Sequence, residues 1–337
     1  MEKRIKTVML SHGSGGRLTH ELIKEVFAAK FSNPVLDAMD DAARLARPKG
    51  CVAFTTDSYV VTPLEFPGGD IGRISVCGTI NDLAMKGANA AGISASFIIE
   101  EGLEFSVLER IVASMRRAAD EAGVKIVTGD TKVVEKGKAD RLFITTSGIG
   151  VIPDKVSISG SNAGPGDAVI VSGNLAEHGV AVMNARNNLG LEGGIKSDGA
   201  PLNGLVEAML RVSKNIRVMR DLTRGGLATA LNEIASASGC SIEIEEERVP
   251  VSAGVGAACD LLGLDPLYVA NEGKLVAFVP QKDAGKVLAA MRKQRYGKNA
   301  VIAGRVLKGP AKVSLNTRVG GSRTLLMLEG EQLPRIC

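Results

Sequence analysis

Apolar residues recur along this chain with a period that switches repeatedly between two and about 3.6. That alternation restricts the fold to a mixed α and β architecture. The clearest helix is expected over 106–122. There Leu108, Ile111, Val112, Met115 and Ala119 share one face, Ser106 and Glu109 have capping-box spacing, and Gly123 supplies a stop. Another helix is expected over about 17–30, with Leu18, Leu22, Val26 and Phe27 on one side. Runs rich in Val, Ile, Phe and Thr at 51–56, 92–99, 124–128 and 141–151 read as strands.

The stretch Pro153 to Gly166 (PDKVSISGSNAGPG) is rich in Pro, Gly and Ser and reads as a junction. At roughly 100–200 residues per domain, 337 residues suggest two domains, expected at 1–155 and 156–329, with a tail at 330–337. The second domain opens with a buried-type strand in GDAVIVSG (166–173). It continues through helices near 175–187, 202–214 and 225–238, strands near 241–245 and 274–279, a helix at 282–294 and closing strands to about 328.

Charge is close to balance, with 41 Lys+Arg against 37 Asp+Glu and no like-charged block. A nucleic-acid partner is not expected, because the chain has no basic stripe, no Trp and only three Tyr. No apolar run approaches the ~20 residues that cross a bilayer, and the N-terminal apolar stretch is too short for a signal peptide. Five widely spaced cysteines without a CxxC pair favour reduced thiols in a cytoplasm and argue against a structural zinc. The compositional oddity is 40 glycines, well above the roughly 7% usual in proteins, which implies tight turns or close backbone approaches to a ligand.

No P-loop and no strand-linked GxGxxG is present, yet acidic residues stand where a metal–phosphate site would want them. Asp57 closes CVAFTTD, Asp130 follows VKIVTG, Asp40 and Asp41 precede AARLA, Asp221 precedes LTRGG, and Glu272 lies in NEGK. Each is also an ordinary turn or cap residue. Asn81-Asp82 sits inside VCGTINDLAMKGA, apolar enough for a buried helix. Asp82 therefore needs compensation, either from a side chain such as Arg73 or from Mg²⁺. HGSGG (12–16) can wrap an anion or be a solvated loop, His178 reads as a cap, a packing residue or a catalyst, and Arg224-Gly225-Gly226 opens a helix whose N–H groups suit phosphate. Cys337 ends the chain on a Pro-Arg tether that is expected to be mobile and exposed, which suits a carrier thiol on a swinging arm.

MDDAA (39–43), TTDS (55–58), CGTINDLA (77–84), TGDTK (128–132) and DLTRGG (221–226) resemble the PurM-type ATP-binding superfamily of aminoimidazole ribonucleotide synthetase, selenophosphate synthetase and thiamine-phosphate kinase. Within it, HGSGG, FPGGDIG (66–72), ANEGKL (270–275) and the ending PRIC (334–337) resemble the HypE family of hydrogenase maturation proteins, essentially end to end. The resemblance implies an α/β (α+β), two-domain PurM-like fold, with N-terminal sheets pairing into a barrel across a homodimer and a C-terminal mixed α/β domain. It implies ATP and Mg²⁺ as cofactors, with Asp40, Asp57, Asp82, Asp130 and Asp221 holding the metal. Asn81, Thr131, Gly15 and Gly16 would join Asp57, Asp82, Asp130 and Asp221 around the nucleotide.

The family resemblance also implies an activity. Cys337 would receive a carbamoyl group from the carbamoyltransferase HypF, and the enzyme would dehydrate it with ATP to a thiocyanate. The cyanide would pass to iron on a scaffold of HypC and HypD and so to [NiFe] hydrogenase. Phosphorylating the amide oxygen makes it a good leaving group, which leaves the protein to position and neutralise charge. A base must also remove the amide N–H, and Glu272 and Lys132 are the candidates. Two alternatives are another PurM-type small-molecule kinase or amidine-forming ligase, and a non-enzymatic scaffold.

Overall fold

The computed structural model describes residues 7–337 apart from 41, 47, 48, 192, 193, 331, 332 and 334. Asp41, expected beside Asp40, and Pro334 of the PRIC ending therefore lie outside the described residues. The helix expected over 17–30 forms as α1 (Arg17–Leu22), a π-helical stretch (Ile23–Ala28) and α2 (Ala29–Phe31). Leu22, Val26, Phe27 and Phe31 bury its inner side, with Phe27 packed on Phe97 at 4.6 Å between ring centroids.

The first half continues as β1 (Cys51–Tyr59), β2 (Glu65–Phe66), β3 (Gly69–Asp70), α3 (Ile71–Met85), β4 (Asn89–Glu100), α4 (Phe105–Ala122), β5 (Ile126–Val134) and β6 (Leu142–Ile152). Four strands form one sheet in the order β1-β6-β4-β5, antiparallel except for β4 with β5, which α4 connects as a crossover helix. Helix α3 packs on the sheet and α4 packs on α3. A Cβ at Gly78 would collide with the Tyr59 hydroxyl, so glycine is what lets α3 settle against β1. β1 and β5 run further than expected, so Asp57 and Asp130 sit within strands rather than after them. Helix α4 ends at Gly123 as expected, with φ +67°. The expected capping box does not form. Glu104 is the N-cap residue, and the Ser106 hydroxyl donates to its carboxylate at 3.2 Å instead of capping the backbone.

Residues 153–166 lead into β7 (Asp167–Val171), α5 (Glu177–Asn187), α6 (Asn203–Val212), β8 (Val218–Asp221), α7 (Gly226–Ser238), β9 (Ser241–Glu245), α8 (Ala253–Leu262), β10 (Leu275–Pro280), α9 (Gln281–Arg292), β11 (Val301–Leu307), β12 (Lys312–Asn316) and β13 (Ser322–Thr324). Their sheet has seven strands in the order β13-β12-β9-β11-β7-β10-β8. Leu227, Leu231 and Ile234 of α7 pack with Val169, Val171 and Phe278 on one face. Leu205, Met209, Val287 and Met291 of α6 and α9 pack with Ile170, Ala277 and Val279 on the other. Central strand β7 is thus buried throughout, which explains the uninterrupted apolar run AVIV. The C-terminal end of α3 enters this second core through Ala84 and Met85, so one helix ties the two sheets together beside Asp82. Among the described residues no helix is long and apolar enough to cross a membrane.

Candidate active site

Three secondary-structure elements and one turn bring four carboxyl groups into one another's fields. Asp57 lies on the α3-facing side of β1, Asp82 near the end of α3, Asp221 at the end of β8, and Glu272 in the turn before β10. Burial, then the charge of Asp82, raises Asp57 to about 6. The same two causes raise Asp221 to about 7. Burial lifts Glu272 well above the carboxylate range, with Asp198, Asp221, Asp57 and Asp82 adding to it. Arg73 does not compensate Asp82. The Thr55 hydroxyl donates to it at 2.5 Å, while Arg73 turns away to Glu121 at 2.9 Å and to the Gly199 carbonyl at 2.7 Å.

The turn holding Glu272 is fixed from both sides. Its N–H donates to Asp198 at 3.0 Å, and buried Asp198 is itself paired with Lys274 at 2.9 Å. Its carbonyl accepts from the Asn81 amide at 3.3 Å. Asn81 was expected at the nucleotide. Its side chain is buried and engaged by the Ala200 and Glu272 carbonyls and by the Leu202 N–H, which makes it a brace for the turn. Inside that frame the Glu272 Oε1 is buried with no hydrogen-bond partner among the described residues. A buried carboxyl left open in this way marks Glu272 as a candidate functional group.

The tail expected to be mobile and exposed is docked instead. Ile336 is 1% exposed within the first core, Val60 N–H donates to the Cys337 carbonyl at 3.2 Å, and the His178 ring bonds the Ile336 carbonyl at 2.9 Å. Outside, Arg335 pairs with Asp140 at 2.6 Å and donates to the Val60 carbonyl. Ile336, with Leu333 packed beside it, gives the tail apolar surface to bury, which a fully polar tail would lack. The Cys337 thiol is raised to about 12 by burial and then by Glu272, against a small opposing pull from Arg224.

A cavity of about 610 Å³ adjoins the cluster, with Asp82, Asp221, Lys86, Arg220 and Arg224 on its walls and the start of α7 at one end. Gly225 and Gly226 both have positive φ there, and a Cβ on Gly226 would meet the Leu267 carbonyl at 2.6 Å. A second cavity of about 320 Å³ lies at β5. Phe27, Phe31 and Phe97 wall it, and Gly15, Asp40, Asp130, Thr131 and Lys132 stand around it. Gly16 is exposed at the start of α1, and Gly15 N–H is engaged by the Thr19 hydroxyl at 2.9 Å.

The expected residues thus fall into two groups. Strand register shows why: Ser58, Thr145, Ser96 and Asp130 form one cross-strand row, and Asp57, Thr146, Ala95 and Gly129 the next, so Asp57 and Asp130 project from opposite faces. They are also on opposite edges, three strand spacings or about 14 Å apart. Lys132 lies with Asp130, paired to it at 2.7 Å, and not beside Cys337. Of the two candidate bases, Glu272 is the one whose field reaches the Cys337 thiol. The oxygen-only donor set suits Mg²⁺, which takes one or two carboxylates and completes its shell with phosphate and water. Among the described residues no three His, Cys, Asp or Glu side chains converge as a ready-made metal cluster; Asp57, Asp82 and Asp221, which lie in one another's fields, are the carboxylates that would engage such an ion.

The chain is similar over its whole length to the carbamoyl dehydratase HypE of Rhodobacter capsulatus, at 52% identity over 100% of both chains. The chain belongs to the HypE carbamoyl dehydratase family. Residues 39–152 match the N-terminal domain of the AIR synthase related proteins and 164–315 the C-terminal domain. A crystal structure of the hydrogenase maturation protein HypE in complex with ATP superposes with a TM-score of 0.95 at 48% identity, covering 98% of this chain and 100% of that one. A HypE–HypF complex structure superposes with a TM-score of 0.81 at 50% identity, covering 91% and 99%. The two-domain PurM-like architecture expected from the motifs is thus the architecture present.

Several residues of this HypE-family site escaped sequence reading. Asp198 sits in an unpatterned turn, Lys274 lies within a motif without standing out from it, and Asp140 lies in the connection between β5 and β6. His178 was read as a cap, a packing residue or a catalyst, and its contact with Ile336 spans 158 positions.

Proposed function

We propose that this chain dehydrates an S-carbamoyl group on its own Cys337 to a thiocyanate with ATP, the cyanide serving as a ligand of iron in [NiFe] hydrogenase. The observation that carries the reading is the docked tail, which brings Cys337 into the field of the buried Glu272 carboxyl, whose Oε1 has no hydrogen-bond partner among the described residues. The γ-phosphoryl of ATP moves to the carbamoyl oxygen. The N–H protons leave, the C–O bond breaks with phosphate as leaving group, and S–C≡N, ADP and phosphate result. Glu272, which burial raises well above the usual carboxylate range, would take the proton in its ionised form, and its raised proton affinity strengthens it as a base. Asp57, Asp82 and Asp221 would engage Mg²⁺, which supplies charge neutralisation for the phosphates when bound.

The reading includes a homodimer. On the outer face of the first sheet Phe54 is 72% exposed, Val52 50% and Ile98 42%, an apolar surface suited to a second copy. Pairing there would give the Asp130–Lys132 edge a partner chain's carboxylate cluster to complete, and Gly15, Gly16 and Thr131 would then meet the nucleotide. HypF as carbamoyl donor is supported by the complex known for a relative. A HypC and HypD scaffold as cyanide acceptor, and a cytoplasmic location, complete the proposal. Deleting Cys337 tests it: the tail reading requires loss of all carbamoyl-dependent ATP hydrolysis, whereas a small-molecule enzyme would keep its turnover.

A further inference from the structure

We propose that His178 is the positioning residue that seats the C-terminal tail, through one hydrogen bond from its Nε2–H to the carbonyl of Ile336. The proposal rests on the reading above only for what the seated tail then undergoes. The ring is fully buried on α5 and is held on several sides. Phe66 meets it edge-on at 5.4 Å between centroids, and its Nδ1 lies 2.8 Å from the Ser197 hydroxyl. Ser197 is itself fixed, donating its N–H to the Pro67 carbonyl at 2.7 Å and accepting from Gly199 N–H at 3.2 Å.

This geometry determines the tautomer. A carbonyl only accepts, so the 2.9 Å contact to Ile336 places the ring proton on Nε2, and Nδ1 accepts from Ser197. The donor is aimed one residue before Cys337, at the point where a hydrogen bond fixes how far the thiol reaches toward Glu272.

The tail's contacts differ in weight. The Arg335–Asp140 pair is roughly two-fifths exposed on both sides, where ion pairs contribute little. When the tail withdraws, Arg335 and Asp140 are rehydrated, whereas Nε2–H of a buried ring is left facing a space it cannot satisfy. An orphaned buried donor is the more expensive loss, so of the tail's polar contacts the one to His178 weighs most.

The test uses the full-length protein and iodoacetamide labelling, resolved by peptide mapping, with exposed Cys51 as internal reference. In wild type Cys337 labels slowly against Cys51. His178→Leu should speed Cys337 labelling about tenfold or more, and His178→Gln, whose amide N–H reaches the Nε2 position, should bring it back to within about threefold of wild type. With pre-carbamoylated protein, His178→Leu should slow Mg·ATP-driven loss of water from Cys337 while ATP affinity holds, and His178→Gln should recover it. Equal protection in wild type and His178→Leu overturns the proposal, as does labelling of His178→Gln as fast as His178→Leu. Should the leucine variant not fold, Ser197→Ala frees the ring to change tautomer and must still raise labelling by about threefold; unchanged labelling overturns the assignment. If protection follows His178 as described while no protein, wild type included, loses water, the seat stands and the dehydration reading falls.

Discussion

The Cys337 thiol lies within the field of the buried Glu272 carboxyl, which after burial itself is the strongest influence holding that thiol neutral, at about 12. The thiolate is the nucleophilic form of cysteine. The docked position is therefore unsuited to loading the sulfur and suited to work on a neutral group already attached to it. Loading is expected with the tail withdrawn, and conversion with the tail in.

The first prediction concerns that carboxyl. Glu272→Gln keeps the shape and removes the base, so conversion of pre-carbamoylated protein should slow by about 10²–10⁴-fold with ATP affinity nearly unchanged. Single-turnover kinetics with calorimetric ATP binding separate the two. Lys132→Ala in the same assay should weaken nucleotide handling rather than deprotonation, because its ammonium sits on Asp130 across the sheet.

A second prediction concerns pH. Asp57 at about 6 and Asp221 at about 7 are partly protonated near pH 6.5, and a cation beside them favours the ionised forms. Binding of Mg·ATP should therefore release protons, and affinity should rise as pH climbs through 6 to 7 and level off above about 8. Calorimetry in buffers of different ionisation enthalpy reads the proton count directly; a pH-independent affinity would contradict the assignment.

Stability should move in the opposite sense. The native Asp221 carboxyl, at about 7, keeps a proton that the unfolded chain releases near 3.9, so its contribution is intact below about pH 4 and is lost as pH rises through 7. Asp221→Asn should raise Tm by about 2–4 °C at pH 7.5, with the gain vanishing near pH 4, while conversion falls. A Tm lowered at pH 7.5 would show that Asp221 is stabilising and not strained by its neighbours.

Packing beneath the site is equally testable. Gly78→Ala sets a methyl against the Tyr59 hydroxyl and should cost about 1–3 kcal/mol, read as a lowered denaturant midpoint. Because α3 carries Asp82 one turn further on, ATP affinity should fall with it.

The fold was largely legible because its strongest elements have local causes. The five-residue apolar face of α4 and the buried run of β7 announce themselves. Short β8 and α8 did not: VMRD is only a four-residue strand, and AGVGAACDLL has small residues where an amphipathic helix shows contrast. In the site, Asp57, Asp82, Asp221 and Glu272 were visible as residues in motifs, but their mutual repulsion depends on β1, α3, β8 and the turn before β10 meeting in space. Asn81 adjoins Asp82 in sequence, but a helix points neighbours in different directions, so its bonds to the Glu272 turn could not be read from the motif. The tail misled because polarity around it hid Ile336, one side chain with a core to enter.

The most direct test of the account is the intact mass of the protein after incubation with HypF, carbamoyl phosphate and ATP, and again after Mg·ATP. A gain of about 43 Da on Cys337 followed by a loss of about 18 Da is the predicted result, the masses of an added carbamoyl group and of water. ATP consumed with Cys337 unchanged in mass would contradict it, and would direct the search to a small molecule in the same cleft.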